Sequence, residues 1–277
     1  MNALSWRGRL AIAALMFIAV TWSIFPVAYM ISGSLKPGIE IWAYPPSLLT
    51  APSFDSYLGI SKLYPSFWGD LLNSVKVTLI STLLALGCSL SAAFVFSRLR
   101  HGWLRLPALL MILVRMFPPI IVLIPLFPVL NALGWLDTMT PLVISAVAFS
   151  VSVATLLLKT FIDDIPIEIE EAAMIDGCSR LRAFVTITIP LVMPAISAIA
   201  LIIAIGVWND YLFPLVFTSW QARTAPVTIA VAMANEDGVS WGVVLAMGTL
   251  HLIPTLTLVL LLYRQLVNVV TGGAVKG

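Results

Sequence analysis

Long apolar segments alternate along this chain with short segments that hold most of its charged residues. A membrane-spanning helix needs about 20 apolar residues, because each residue adds about 1.5 Å and the hydrocarbon layer is about 30 Å thick. Six segments are long enough, and their apolar centres carry no Asp, Glu, Lys or Arg apart from Arg115. The predicted spans are about 10–33, 74–97, 106–130, 138–158, 191–213 and 241–263. The pattern predicts an all-α integral membrane protein with one transmembrane domain over residues 1–277.

Composition excludes several classes of protein. Hydrophobic residues make up 60% of the 277 residues and charged residues only 10%, whereas soluble domains carry about 25% charged residues. The net charge of +2 gives no reason to expect a nucleic-acid partner. Cys88 and Cys178 are too few for a disulfide framework. His101 and His251 have no Cys, Asp or Glu at ligand spacing, so we expect no metal site.

The distribution of Lys and Arg predicts the orientation of the spans. With the amino terminus in the cytoplasm, the inner segments hold ten of these residues and the outer segments only three, Lys36, Lys62 and Arg223. Cytoplasmic loops of membrane proteins are enriched in Lys and Arg, so both termini are predicted to be cytoplasmic. The first apolar run is too long for a signal peptide and lacks a convincing cleavage site, so we expect a retained span.

The longest inner loop, about 160–190, contains the densest group of acidic residues in the chain. Six of the 13 acidic residues of the chain fall in it. Pro166 suits the first turn of a helix, Gly177 suits its end, and Ser179 is a good N-cap for a second helix. The pattern predicts a cytoplasmic helix–turn–helix. From the residues alone it is either a solvated connector or a docking surface for a cytosolic partner.

A motif in this loop favours the second interpretation. Glu171-Ala172-Ala173 is followed at fixed spacing by Gly177 and by Ile187-Thr188-Ile189-Pro190. The pattern resembles the EAA signature of ABC-importer permeases, which has Leu where this chain has Ile189. The resemblance implies that loop 160–190, here called the coupling loop, docks in a cleft of a partner ATPase. Its expected contact residues are Glu171, Ala172, Ala173, Met174, Ile175, Asp176 and Gly177.

Within that resemblance, Glu171 is expected to face basic groups of the ATPase and Gly177 to make the turn. Shorter motifs resemble the carbohydrate-uptake, maltose-type branch of the same permeases. They are Asn73-Ser74, Met116-Phe117-Pro118, Trp208-Asn209-Asp210-Tyr211 and the carboxy-terminal Thr271–Gly277. The tail, 264–277, is similar to that of the second permease subunit, which reaches toward the ATPases. Gly273, Val275 and Lys276 are therefore expected to face the ATPases.

The resemblance also implies the assembly around the chain. It predicts a type I importer permease of six helices, in a bacterial inner membrane, that imports a sugar or sugar-like solute. Its expected partners are a second permease subunit, two cytoplasmic ATPase subunits, an extracytoplasmic binding protein and membrane lipid. No Gly-Lys dipeptide occurs, so the chain has no Walker A loop. We therefore expect it not to be an enzyme, with ATP and Mg²⁺ bound by the partner ATPases.

Ionisable residues inside spans are candidates for function, because a charge in lipid is costly. Arg115 is expected to face the translocation path or a partner helix. The alternatives are structural: its side chain bonds to carbonyls freed by Pro118 and Pro119, or it extends inward to the membrane surface. Asp210 is predicted near the outer leaflet, where depth makes Lys76 a better partner for it than Arg115. The candidate path residues are Arg115, Asn209, Asp210 and Tyr211.

An ABC permease for a non-sugar solute is an alternative within the same family, and two other classes of membrane protein are alternatives to an ABC permease. A stand-alone secondary transporter usually carries several buried carboxylates or repeated halves with broken helices. Only Asp210 lies in a span-like stretch, and the two halves of the chain do not resemble each other. A membrane-embedded enzyme would need a catalytic constellation, and the sequence contains no recognisable one.

Overall fold

A computed structural model describes residues 6–44, 51–99, 101–235 and 238–274 of the chain. In these residues all regular secondary structure is helical. The α-helices are α1 (Trp6–Ser34), α2 (Asp55–Leu63), α3 (Phe67–Arg98), α4 (Arg105–Met116), α5 (Pro119–Ala132), α6 (Met139–Asp163), α7 (Ile167–Ile175), α8 (Arg180–Ala183), α9 (Ile189–Leu191), α10 (Met193–Trp208), α11 (Leu212–Phe217), α12 (Ala225–Met233) and α13 (Trp241–Ala274). Short 3₁₀ turns occupy Gly38–Trp42 and Gly102–Leu104, and a π-helical turn occupies Phe184–Thr188.

Four of the helices, α1, α3, α6 and α13, are long and apolar enough to cross a membrane as single helices. Two bent pairs have the required length and composition when each pair is taken together, which makes up to six spans in the described residues. An all-helical membrane architecture is therefore confirmed. Helices satisfy their own backbone hydrogen bonds, which is what the hydrocarbon layer demands.

The third predicted span, 106–130, is not one helix. Residues 102–116 and Pro119–Ala132 are bent by 98° relative to each other. Phe117 and Pro118 between them have extended backbone, with ψ angles of 127° and 132°. Two consecutive prolines remove two backbone donors and disfavour helical geometry in the preceding residue, so α4 ends at Met116 and α5 begins anew.

The fifth predicted span is also interrupted. The stretch Arg180–Leu191 meets Met193–Trp208 at an angle of 76°, with the break at Val192 between Pro190 and Pro194. The part of the predicted span beyond Trp208 belongs to a turn and to α11. The last predicted span, 241–263, lies within α13, whose helix continues into the predicted tail as far as Ala274.

The chain divides into two compact units, and one of them comprises Met1–Trp68 and Thr228–Ile253. In this unit, glycines allow neighbouring helices to approach closely. A Cβ on Gly242 of α13 would lie 2.5 Å from Ser56 Oγ of α2, and one on Gly33 of α1 would lie 2.6 Å from Leu245 Cδ1. Small residues at helix contacts are the usual means of packing helices in membranes.

The second unit comprises Gly69–Val227 and Pro254–Gly277. Its first core is formed by buried side chains of α3, α6 and α10 with Val192, namely Ala85, Ala93, Ala154, Leu158, Ile162, Val192, Ile199 and Ile203. Its second core joins α3, α5, α6 and α11 through Val77, Leu123, Leu130, Leu142, Phe213 and Phe217. Helix α3 contributes to both cores, so it links them along its length.

Candidate functional site

Helix α7 carries most of the predicted contact residues of the coupling loop. It begins after Pro166, and Glu168 and Glu170 lie in its first turn, where negative charge is favourable to the helix dipole. It ends in a Schellman motif: Gly177 N–H donates to Met174 O at 3.1 Å and Cys178 N–H to Ala173 O at 3.0 Å. Gly177 has a φ of 91°, a left-handed value that favours glycine.

The second helical stretch of the loop starts as the sequence predicts. Ser179 is the N-cap of α8, and its hydroxyl accepts a hydrogen bond from Arg182 N–H at 3.3 Å. The predicted turn at Gly177 and cap at Ser179 are both confirmed, because each is decided by local backbone chemistry. The geometry gives the loop a short helix, a fixed turn and a second helical stretch that leads into α10.

The predicted contact residues lie together and are largely accessible. Glu171, Ala172, Asp176 and Gly177 are exposed, and Ala173 and Met174 are half-buried. Ile175 is 86% exposed, and Leu181 on α8 is 71% exposed. Two large apolar side chains are therefore exposed beside a patch of acids, and the docking of a cytosolic partner on this surface stays a prediction.

One residue of α7 faces the opposite way, and sequence reasoning missed it. Glu170 is only 4% exposed, and its Oε1 accepts hydrogen bonds from Arg98 Nε at 3.0 Å and Nη2 at 2.9 Å. Thr188 Oγ1 donates to the same oxygen at 2.9 Å. Two adjacent glutamates thus have different environments: Glu171 is exposed, and Glu170 is buried against α3. Nothing in the sequence identifies Arg98, 72 residues away, as its partner.

The second unit also contains a cavity of about 340 Å³. Arg115 and Pro119 line it at the break between α4 and α5, and α6 contributes Ser145, Phe149 and Ser150 among others. Asp210 and Phe213 line it after α10. The cavity therefore places a guanidinium, a carboxylate and two hydroxyls on an otherwise mostly apolar lining, which is the usual composition of a ligand pocket.

The structure groups the predicted path residues differently from the sequence. Arg115 and Asp210 line the same cavity, while Lys76 does not. In the described residues Asp210 forms no ion pair with either cation, so the preference for Lys76 over Arg115 stays a prediction. The depth comparison assumed a straight third span, whereas the chain bends by 98° just after Arg115. Asn209 Nδ2 donates to Ile205 O at 2.8 Å, and neither Asn209 nor Tyr211 lines this cavity.

Arg115 lines the cavity, and its predicted place on the translocation path stays a prediction. Its side chain is exposed, and in the described part of the chain it makes no hydrogen bond to a carbonyl. Asp210, by contrast, makes a local hydrogen bond: its Oδ1 accepts one from Leu212 N–H at 3.1 Å. This is the usual way in which an Asp side chain supports the start of a helix, here α11.

A third polar cluster holds the segment 218–225, here called the clasped loop, which runs from the end of α11 to the first residue of α12. The carboxylate of Asp137 accepts hydrogen bonds from four consecutive backbone N–H groups at 3.0–3.2 Å, those of Ser219, Trp220, Gln221 and Ala222. Asp137 itself has a φ of 57°, and its own N–H donates to Phe217 O at 2.8 Å.

These contacts change the acidity of Asp137. Burial disfavours the charged carboxylate, but the four backbone hydrogen bonds outweigh it and lower the pKa of Asp137 below its usual value of 3.8. Hydrogen bonds to the ionised form of an acid always act in this direction. The carboxylate is therefore charged at neutral pH and attracts the four N–H groups, much as a bound anion would.

Asn73 and Ser74 hold the same loop from α3. Asn73 Nδ2 donates to Gln221 O at 2.9 Å and to Arg223 O at 3.0 Å. Ser74 Oγ accepts from Ala225 N–H at 3.0 Å and donates to Asp70 O at 3.1 Å. The sequence motif Asn73-Ser74 thus acquires a structural role that the pattern alone did not indicate. Asp137 had no such signal beyond its place in a turn between two apolar segments.

The clasped loop presents one large side chain outward. Trp220 is 75% exposed, and the guanidinium carbon of Arg223 lies 4.8 Å from the centroid of its ring, within the range of a cation–π contact. The clasped loop is tied to residues near the beginning of α3, and the coupling loop contacts Arg98 in its last turn, so the two loops lie toward opposite ends of α3.

The three predicted tail residues are placed unevenly. Gly273 belongs to the last turn of α13, while Val275 and Lys276 lie outside the described residues. Their predicted contact with the ATPases stays a prediction.

The chain resembles known proteins over most of its length. Residues 85–271 match the family described as "Binding-protein-dependent transport system inner membrane component". The trehalose transport system permease protein SugB of Mycobacterium tuberculosis is 34% identical over 272 residues, which cover 96% of this chain and 97% of that protein. The sulfoquinovosyl glycerol transport system permease protein SmoH of Agrobacterium fabrum is 32% identical over 256 residues, 92% of this chain and 89% of that protein.

A solved structure shares the fold. A chain of a bacterial ABC transporter that imports the acidic polysaccharide alginate superposes with a TM-score of 0.79 and 22% identity. The match covers 95% of this chain and 99% of that chain. A second structure of a bacterial alginate ABC transporter, in complex with a periplasmic protein bound to an alginate pentasaccharide, has a TM-score of 0.69 and 18% identity. Its match covers 92% of this chain and 93% of that chain.

Proposed function

This chain belongs to the family of binding-protein-dependent transport system inner membrane components, and we propose that it forms half of the pathway by which an ABC importer takes up a sugar or a sugar-like solute. The family match carries the proposal, because its residues 85–271 include the cavity, the coupling loop and the clasped loop. The sugar class is supported by relatives above 30% identity whose names specify trehalose and sulfoquinovosyl glycerol.

The proposed assembly pairs this permease with a second permease subunit and with two ATPase subunits that bind ATP and Mg²⁺. An extracytoplasmic binding protein delivers the solute. The exposed acids and apolar side chains of α7 and α8 support the coupling loop as the surface that meets the ATPase, with Glu171 against basic groups. Both termini are proposed to be cytoplasmic, which puts the loop on the same side as the ATPases.

The cavity between Arg115 and Asp210 is the proposed contribution of this subunit to the solute path. The guanidinium offers five donors and the carboxylate only acceptors. Together they can donate hydrogen bonds to the hydroxyl groups of a solute and accept hydrogen bonds from them. Phe149 and Phe213 add aromatic faces. This lining suits an uncharged polyhydroxylated solute and also one that carries an acidic group.

The assembled importer in proteoliposomes tests the proposed function. A sugar presented on the binding protein should stimulate ATP hydrolysis and enter the vesicles, whereas amino acids should do neither. Uptake driven by an ion gradient without ATP would contradict the proposal and favour a secondary transporter.

The role of the coupling loop is tested by Glu171→Lys, which reverses the charge at the proposed ATPase contact. Stimulation of ATP hydrolysis by the loaded binding protein should be lost, with the subunit still present in the membrane. Asp163→Lys is the control, because it makes the same change of charge at an exposed residue of α6 that lies at the start of the coupling loop but outside the contact residues 171–177. Normal stimulation in Glu171→Lys would exclude the proposed contact at Glu171.

A further inference from the structure

We propose that Arg98, Glu170 and Thr188 form a joint that makes the coupling loop move together with α3 and with the helical stretch leading into α10. They are positioning residues: they touch neither the solute nor ATP in this scheme, and they act through the elements that they connect. The proposal rests on the proposed function, in which the coupling loop receives the motion of an ATPase. It assigns the route by which that motion enters the spans.

The geometry of the joint connects elements that are distant in sequence. Arg98 is the last residue of α3, Glu170 lies in the first turn of α7, and Thr188 ends the π-helical turn before α9. All three donated hydrogen bonds, two from Arg98 and one from Thr188, reach the single oxygen Oε1 of Glu170 at 2.9–3.0 Å. Arg98 Nη2 also donates to Ile165 O at 3.1 Å, which adds the linker between α6 and α7.

Burial makes this connection stiff. The side chains of Arg98 and Glu170 are only 7% and 5% exposed, and Thr188 is fully buried. If α7 slid along α3, two buried charges would lose their partners without reaching water, and an uncompensated buried charge is strongly unfavourable. The elements therefore keep their relative positions more firmly than packed apolar side chains alone would require.

A second contact lies close to the joint and fixes its orientation. The rings of Phe94 and Phe184 are 4.4 Å apart between centroids. Phe94 precedes Arg98 by four residues, so the two lie on the same face of α3, and Phe184 begins the π-helical turn that Thr188 ends. Two points of attachment resist rotation as well as sliding. π-helical turns occur frequently at functional positions.

The contrast with another ion pair shows that the joint is not an ordinary surface feature. Lys159 and Asp163 on α6 also pair, but their side chains are 36% and 41% exposed and they are neighbours on one helix. Such a pair contributes little and connects nothing beyond its own helix. Asp163 lies in the coupling loop but outside its expected contact residues 171–177, so it provides a control for charge removal in the same loop.

The experiment must separate a joint from a simple stabiliser of the fold. The variant Arg98→Met/Glu170→Leu replaces the pair by apolar side chains of similar volume, a change that proteins often tolerate without loss of stability. Solute imported per ATP hydrolysed is measured for the whole importer in proteoliposomes, with the melting temperature of the complex. Residues that only stabilise the fold would affect the melting temperature, whereas the joint would affect the ratio of solute imported to ATP hydrolysed.

We expect Arg98→Met/Glu170→Leu to assemble and to import about tenfold less solute per ATP, a loss within the usual range of coupling between sites. The control Asp163→Asn should keep the ratio of the unmodified importer. A normal ratio in the double variant would overturn the joint. If the double variant does not assemble, Thr188→Val decides, since it removes one donor with little change of shape: a reduced ratio supports the joint, and a normal one overturns it.

The failure of the joint is distinguishable from the failure of the proposed function. If the unmodified importer hydrolyses ATP in response to the loaded binding protein and imports solute, the proposed function holds whatever the variants do. If the unmodified importer shows neither response, the proposed function fails and the joint fails with it.

Discussion

The clasp formed by Asp137 allows a prediction whose size follows from the structure. Replacing Asp137 with Ala leaves four N–H groups without their acceptor. Those of Ser219, Trp220 and Gln221 belong to exposed residues and can bind water instead, but Ala222 is only 3% exposed. A stranded buried donor costs about 1–3 kcal/mol.

Backbone strain adds to that cost. Asp137 has a φ of 57°, a region that Asp and Asn tolerate better than Ala and that Gly tolerates best. For Asp137→Ala we therefore expect a further ~1 kcal/mol and a total loss of about 2–4 kcal/mol. Asp137→Gly loses the acceptor without the strain. Asp137→Asn keeps one acceptor oxygen and loses the least. The expected order of destabilisation is Ala, then Gly, then Asn.

Two assays check this order. The first is the melting temperature of the purified complex in detergent. The second is the rate of tryptic cleavage after Arg223, because a released loop should expose that bond to the protease. Asp163→Ala serves as a control that removes an exposed carboxylate elsewhere. Equal melting and equal cleavage for Asp137→Ala and the unmodified protein would refute the reasoning, since the clasp would then not hold the loop.

Three further predictions follow from the same structure. The pKa of Asp137 is lowered in the folded protein, so its contribution to stability is fully present above the ordinary value of 3.8 and is lost as pH falls below that value. The difference in melting temperature between Asp137→Asn and the unmodified protein should therefore shrink only in that acidic range. A difference that shrinks near neutral pH would exclude this origin. Arg115→Met should assemble normally but reduce uptake by about tenfold or more, the effect expected for losing a charged hydrogen bond to a solute; a stable and fully active variant would remove Arg115 from the path. Single cysteines at Asn2 and Lys276, in a cysteine-free chain, should resist an impermeant thiol reagent in intact cells, while one at Asp55 should react, and labelling of only one terminus would require an odd number of spans.

Local chemistry made the helices and the coupling loop predictable from the sequence. Apolar runs of sufficient length must become helices in lipid, because the backbone has no other partner there. Gly177 and Ser179 determine their turn and cap through properties of single residues, a left-handed φ and a short side chain with an acceptor oxygen. These features need no knowledge of distant parts of the chain, and the structure contains each of them.

The two breaks in the spans were only partly accessible to sequence reasoning. Pro118 and Pro119 were visible, and they could have indicated that the third span is interrupted. The angle of 98° between α4 and α5 could not be predicted from these prolines. A proline fixes its own φ and removes a backbone hydrogen-bond donor, but it does not determine the direction in which the next helix leaves. That direction depends on what α5 packs against.

The sequence by itself determined the apolar spans, the acidic coupling loop and the residues that resemble a known family of permeases. Only the tertiary structure decided which distant residues meet: Arg98 with Glu170 across 72 positions, Asp137 with a loop 82–85 positions away, and Arg115 in one cavity with Asp210. The physical reason is that a residue's propensity and charge are its own properties. Its partner is selected by the packing of helices such as α3, α6 and α10, to which the whole chain contributes.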